Sequence, residues 1–446
     1  MQCRRVAFSA VFVLVVGVAV GQAQEARVVT VDQAVELALR NNLSLENERL
    51  DVEISRRQKN SVWNRFLPET SVSGTLLRYN EEQTDPAGGG PSPRWGIQGR
   101  LSAELNITLQ LFEGIRLAIL DYQRGVIALE DARKLLERDV RKAFYNLIVL
   151  EGQIEIAEEA VEIAREQFER TQINFENGVA DEFTLLSARV ALESRRPVVG
   201  NSRLAFEEAK LGFAQLLGLD IETEIILEGT IEPEIVSLDP DRLIAENLMD
   251  RTDLQELRQA VRIQEGVVRA ETAALYPILS LGYVADPTFV NDPFGDPWFA
   301  DLENDWVQPQ GAFTISIIQP LDGLVPGSQA QVRISDERTN LAKLQNQLVL
   351  ATQRAEIEIR SLANRLETTR VSLGVQELNV ELAERAYELA LEAYNVGSRE
   401  LLEVRNAEQD LQDARLQLLQ EKSNYTAALL DLEYALNTTI EEMGER

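Results

Sequence analysis

The chain carries two long apolar repeats of the same kind, and few folds can accommodate them. From about Arg116 to Phe175, residues Ala143, Leu147, Leu150, Ile154, Ala157, Val161, Ala164, Phe168, Thr171 and Phe175 alternate in steps of four and three. That is the heptad spacing of helices packed along a seam. From about Ser328 to Tyr394 the pattern returns as Leu366, Thr369, Leu373, Gln376, Val380, Ala383, Tyr387, Ala390 and Tyr394. The offset from Leu147–Leu366 to Phe175–Tyr394 is constant, and the runs end alike, at Asn177-Gly178 and Val396-Gly397. A helix of ~60 residues is ~90 Å long, more than a compact core requires. The spacing predicts a tall structure of near-parallel helices.

The copying extends upstream. Asp32 answers to Asp241, Leu39 to Leu248, Leu45 to Leu254, Phe66 to Leu275 and Pro68 to Pro277, again at one offset. One architecture in two tandem halves follows. The lengths suggest how each half packs. Helices at 44–67 and 182–218 together match the long helix, so two short helices stacked end to end lie beside one long one. The second half repeats this with helices at 252–276, 328–395 and 400–437. The expected organisation is a leader at 1–23 and a first repeat at 24–218, with a β-hairpin near 70–111 and a helical tip at 177–181. An equatorial linker at 219–240 follows. A second repeat spans 241–437, with a hairpin near 278–319 and a tip at 396–399, and a tail occupies 438–446.

After each proline the period changes to two. Val72 and Leu76 begin it, and a cleaner run places Leu101, Ala103, Leu105, Ile107, Leu109 and Leu111 on one face. Ser102, Glu104, Asn106, Thr108 and Gln110 occupy the other. The second half supplies Leu279, Leu281 and Tyr283, then Phe313, Ile315 and Ile317. Aromatic residues such as Tyr79, Trp95, Trp298 and Trp306 stand near the strand ends. Strands of ~10 residues with one apolar face and aromatic ends suit an outer-membrane barrel, and a half-buried sheet in a soluble protein is the plainer alternative. Four strands cannot close a spanning barrel, and lipid does not tolerate an open edge. The strands must then be pooled between chains, and three chains give twelve.

The N-terminus tips the choice toward the membrane. Arg4 and Arg5 precede an apolar run from Val6 to Val20 and then Gly21-Gln22-Ala23, the form of a secretory leader cleaved after Ala23. The sequence has no His, and its single Cys, Cys3, lies ahead of that run. The mature chain therefore offers no thiol nucleophile, no His base and no His or Cys metal ligand, and no cofactor is expected. A net charge of −29 argues against nucleic acid as a partner. The chain reads as no enzyme.

Taken in order, several motifs resemble the TolC-like outer-membrane efflux proteins. They are Asn177-Gly178-Val179-Ala180 with Leu185-Leu186-Ser187-Ala188-Arg189, and Tyr394-Asn395-Val396-Gly397-Ser398-Arg399-Glu400-Leu401. Phe112-Glu113-Gly114 against Leu321-Asp322-Gly323, each following a strand pair, adds to them. The resemblance implies a mainly α fold with membrane β. A helical coiled-coil barrel would stand in the periplasm, and a transmembrane β-barrel shared among three chains would cross the lipid of the outer membrane. It further implies a homotrimer that docks a periplasmic adaptor protein and, through it, an inner-membrane pump. The duct would serve small-molecule efflux or type I protein secretion. A periplasmic coiled-coil adaptor or scaffold is the rival reading from another class.

By the same resemblance Tyr394 and Arg399 hold a closed periplasmic gate, with Asp181, Glu182 and Thr184 as partners near the first tip. Glu403 matches an acidic pore position, although the second acidic position of that pattern is Asn406 here. The tips Gly178, Val179, Ala180, Gly397, Ser398 and Leu401 would meet the adaptor. The alternatives are a solvated charge at a helix start, an ordinary exposed Glu403 and coiled-coil end packing. Gly178 and Gly397 also have a physical role, because a sharp helix reversal calls for positive φ.

Overall fold

In the computed structural model, residues 27–81, 83–84, 91–92, 95–236, 238–286, 288–290, 306–307, 311–396 and 398–439 are described. The expected leader, most of the loops at 80–93 and 286–309 (with Trp298), Gly397 and the tail from 440 lie outside these residues.

The first half runs β1 (Arg27–Val29), α1 (Val31–Asn41), α2 (Leu43–Ser61), β2 (Glu69–Arg78), β3 (Gln83–Thr84), β4 (Pro91–Ser92), β5 (Trp95–Ile107), α3 (Leu109–Glu176) and α4 (Glu182–Leu216). β6 (Ile225–Leu227) links it to α5 (Pro240–Asn247), α6 (Thr252–Ala273), β7 (Ile278–Ala285), β8 (Thr288–Val290), β9 (Trp306–Val307), β10 (Ala312–Ile318), α7 (Gln329–Asn395) and α8 (Leu401–Leu436). The order helix, strand pair, long helix, shorter helix thus occurs twice. Among the described residues, no helix is long and apolar enough to cross a membrane.

α3 and α7, of 68 and 67 residues, are the columns of the fold. α3 packs against α2 and α4 on one side and α6 and α8 on the other; α7 packs against α6 and α8. The predicted stripe is the inward seam, with Leu147, Ala157, Ala164 and Thr171 buried on α3 and Leu366 and Leu373 on α7. Alanines there allow close approach of backbones, and the larger residues fill the seam.

One correction concerns the start of α3. The alternation at 101–111 predicts a single strand, but β5 stops at Ile107. Thr108 has extended backbone, its hydroxyl accepts from the Leu111 N–H at 3.2 Å, and the helix begins at Leu109 rather than near Arg116. Leu109 and Leu111 satisfy either period, and the cap decides between them.

The long strands form an antiparallel sheet in the order β2–β5–β7–β10, with β8 continuing β7 along β5 and β9 paired to β8. The register sorts the faces. Val72 lies opposite Leu101, which lies opposite Ala285. Leu105, Leu281 and Ile315 line up across three strands, as do Ile107, Leu279 and Ile317. The other face pairs Glu69 with Glu104 and Ser71 with Ser102, whose hydroxyls meet at 2.7 Å. The apolar face is open toward its outer strands, where Val72 is 82% exposed and Ile317 75%.

Two cores mark the waist. In one, Phe144 and Leu147 of α3 meet Phe213 and Leu217 from the end of α4, with Val29, Ala34, Ala38 and Ile225. β1 and β6 pair in parallel beside it, and Thr30 caps α1 with a full capping box. In the other, Ile359 and Leu366 of α7 meet Tyr425, Leu429 and Leu432 of α8 and Leu243 of α5. The buried Tyr425 hydroxyl accepts from the Val236 N–H at 3.0 Å, tying the linker to α8.

Candidate functional site: the helical tips and the open edges

Each helical hairpin reverses in a few residues. At the first tip Gly178 has φ of 74°, and the Val179 and Ala180 N–H groups both donate to the Asn174 carbonyl, at 2.8 and 3.2 Å. Asp181 then caps α4, accepting from the Thr184 N–H at 2.8 Å and the Thr184 hydroxyl at 2.5 Å. Those two bonds from Thr184 hold its carboxyl below the usual carboxylate range. At the second tip the Ser398 N–H and hydroxyl both donate to the Ala393 carbonyl at 2.9 Å, and Glu400 stands at the start of α8 with no side-chain cap bond.

A cleft of about 1180 Å³ lies between the two tips. It gathers Val179, Ala180, Asp181 and Thr184 from the first hairpin with Tyr394, Arg399 and Leu401 from the second. Gly178, Glu182, Ser398 and Glu403 are not among its walls. Within the cleft Arg399 and Asp181 are not joined. The Arg399 guanidinium, just ahead of α8, instead contacts the Glu403 carboxylate in the first turn of that helix, and Asp181 is occupied by Thr184. Arg170, Phe183, Leu402 and Arg405 also line the cleft and were not singled out from the sequence. Phe183 could have been found. It starts an apolar heptad on α4, Phe183, Val190, Leu204 and Leu211, broken only at Pro197.

That heptad belongs to the second feature of the site, the faces the chain leaves open. Phe183 is 77% exposed, and Val190 and Leu204 also stand in solvent. On α7 a second stripe, Val371, Val375, Leu378, Leu382 and Leu389, continued by Val396 just past its end, is exposed beside the buried one. α4 and α7 bound the helical layer on opposite sides. The sheet repeats this state of affairs, since among the described residues no strand pairs along the outer edges of β2 and β10. An unpaired edge and an unpartnered heptad at each side are the marks of a unit built to repeat laterally.

The model for outer membrane efflux proteins matches the chain twice, at residues 34–219 and 243–438. The toluene efflux pump outer membrane protein TtgC of Pseudomonas putida is 24% identical over 412 residues, covering 91% of this chain and 82% of that protein. The antibiotic efflux pump outer membrane protein ArpC, also of Pseudomonas putida, matches to the same extent. Among solved structures, the CmeC outer membrane channel of Campylobacter jejuni superposes with a TM-score of 0.77 at 18% identity, covering 93% of this chain and 88% of that one. The open-state MtrE outer membrane channel of Neisseria gonorrhoeae gives 0.73 at 18% identity, covering 92% and 89%.

Proposed function

Because the chain belongs to the outer membrane efflux protein family, we propose that three copies assemble side by side into one continuous duct from the periplasm through the outer membrane. The observation that carries this reading is the pair of open edges. Four long strands per copy give twelve in a closed barrel, which removes every edge from lipid. The exposed heptad of α4 in one copy then meets that of α7 in the next, below the waist. The same step turns the apolar sheet face outward to lipid and the Glu69–Glu104 face inward to water.

The family and the membrane sheet set aside the soluble adaptor reading. The duct supplies a path and no energy. An inner-membrane pump drives the cargo, and a periplasmic adaptor joins the two at the tips, where the exposed Val179 and Leu402 offer apolar contacts at the cleft. Efflux is preferred over protein secretion because the curated relatives named above are efflux-pump components. Tyr394, Arg399, Asp181, Glu182 and Thr184 are proposed as gate residues, and Glu403 as an acidic pore residue partly neutralised by Arg399.

Light scattering on the mature protein in detergent, with the detergent mass subtracted, tests the assembly. Three copies per particle are expected. A monomer that stays in solution without detergent would remove the duct.

A further inference from the structure

The seam between α8 and the α3–α4 hairpin contains one residue that its pattern does not call for. Val404, Glu408 and Leu411 follow one another at helical spacing on the buried face of α8. Glu408 therefore holds a position where an apolar side chain is expected, and it is only 1% exposed. It stands about 10 Å up the helix from Leu401, at 1.5 Å per residue. The surrounding seam is apolar or small: Ala160 and Ala164 on α3, Ala188 and Leu192 on α4.

Three helices meet this carboxylate. Arg195 of α4 reaches Oε1 at 3.0 Å. Gln167 of α3 donates to Oε2 at 3.2 Å, and Gln412 of α8 donates to Oε1 at 2.9 Å. Arg195 is fixed in turn by a 2.6 Å bond from Nη1 to the Gln412 amide oxygen. Arg405 of α8 also acts on Glu408 electrostatically, Glu408 in turn acts on Tyr387 of α7, and Glu159, Glu166 and Arg170 of α3 lie around Tyr387. A cleft of about 680 Å³ between α3, α4 and α8 runs past Arg195 and Arg405.

We propose that Arg195 and Glu408 form a charge lock, above the tips, that holds α8 against the α3–α4 hairpin and keeps the periplasmic end narrow. The proposal rests on the reading of the tips as the moving end of a duct. A buried ion pair adds little stability over apolar residues of the same size, but leaving one member unpaired is costly. Arg195 is thus a positioning residue. While it neutralises Glu408, the carboxylate can stay buried and the helices stay together. Without it, Glu408 reaches water only if α8 swings away.

The pH dependence follows from burial. Desolvation pushes the Glu408 carboxyl above its ordinary value, against the pull of Arg195. The closed state, with Glu408 buried, therefore binds a proton more tightly than an open state with Glu408 in water, and acid favours closure.

Single-channel recording of the purified assembly in planar bilayers tests this with four proteins. Arg195→Gln should raise the open-to-closed ratio on the order of tenfold, which is about 1.4 kcal/mol, and lowering the pH should reverse the rise as Glu408 is neutralised. Glu408→Gln alone should stay near the wild type, because the Arg195 side chain is 18% exposed and keeps its bond to the Gln412 amide oxygen, and the double variant Arg195→Gln with Glu408→Gln should return there. A double variant as open as Arg195→Gln, or an Arg195→Gln channel that matches the wild type at every pH, overturns the lock. If Arg195→Gln fails to assemble, the charge swap Arg195→Glu with Glu408→Arg replaces it. The swap should be as closed as the wild type while Glu408→Arg alone is open, and a swap as open as that single variant overturns the lock. Wild-type protein that forms no channel overturns the duct, and the lock with it, whereas wild-type channels indifferent to these changes overturn the lock alone.

Discussion

At Gly218, just past α4, φ is 67°, and a Cβ would sit 2.3 Å from the Asn41 carbonyl oxygen. The Asn42 amide donates to the Leu216 carbonyl at 2.9 Å in the same corner, so the α1–α2 junction and the end of α4 lock at this glycine. Gly218→Ala should lower stability by about 1–3 kcal/mol, read from a denaturant melt; an unchanged midpoint would show that the corner relaxes freely. Tyr434 is a second single-residue case. Its hydroxyl donates to Asp131 at 3.1 Å. Burial first, and then the Asp131 charge and hydrogen bond, push its pKa from 10.0 up to about 12. The folded state keeps this proton after the unfolded chain has released it. The associated stability is complete below pH 10 and is lost as pH rises toward 12. Tyr434→Phe should flatten the alkaline melt over that window, and a variant that loses stability as steeply as the wild type would contradict the assignment. Gly178 was legible from sequence because helix reversal narrows the choice of residue. The partner of Arg399 was not: a carboxylate four residues along the chain, in the first turn of α8, competes with one across the tip, and side-chain rotamers settle the matter.

Each long helix carries more apolar surface than one seam can use. On α7 the stripe through Leu366 and Leu373 is buried within the chain, while the one through Val371 and Leu378 is not. Val371→Lys with Leu378→Lys should leave the helical circular dichroism of the chain intact and reduce the detergent-corrected mass from three copies to one. A variant that still elutes as three copies would place that stripe outside the interface. The buried stripes were found from heptad spacing alone. The exposed ones are not legible from a single seam, because helices packed on both sides need two. The strands were legible for the same reason, a period of two, and failed only where Leu109 and Leu111 suited both periods. On the polar face of the sheet, Glu69 and Glu104 stand opposite each other in the cross-strand register, a like-charge pairing that a water-filled lumen can tolerate. Glu104→Gln should lower cation preference, measured as a smaller reversal potential in a salt gradient. An unchanged potential would assign selectivity to the tips.

For the whole molecule, the order of elements, the duplication and the need to pool strands were all readable, since each follows from periodicity or from the chemistry of lipid. Lateral position was not. No pattern in the sequence reveals that α6 and α8 stand between α3 and α7 and touch both. That arrangement restricts how the molecule can change in height. α3 and α7 reach ~100 Å at 1.5 Å per residue, which makes the chain a gauge of the gap its duct must bridge. Below the waist α3 is flanked by α4 and α8, and α7 by α8. Lengthening α3 there would leave a stretch of seam unmatched unless α4, α7 and α8 grew equally. Seven residues are the smallest insertion that keeps each seam in phase. Viable relatives of different height should therefore differ by whole heptads inserted in four places at once, so that a change in the spacing between two membranes is recorded as a fourfold, synchronised edit in a single gene.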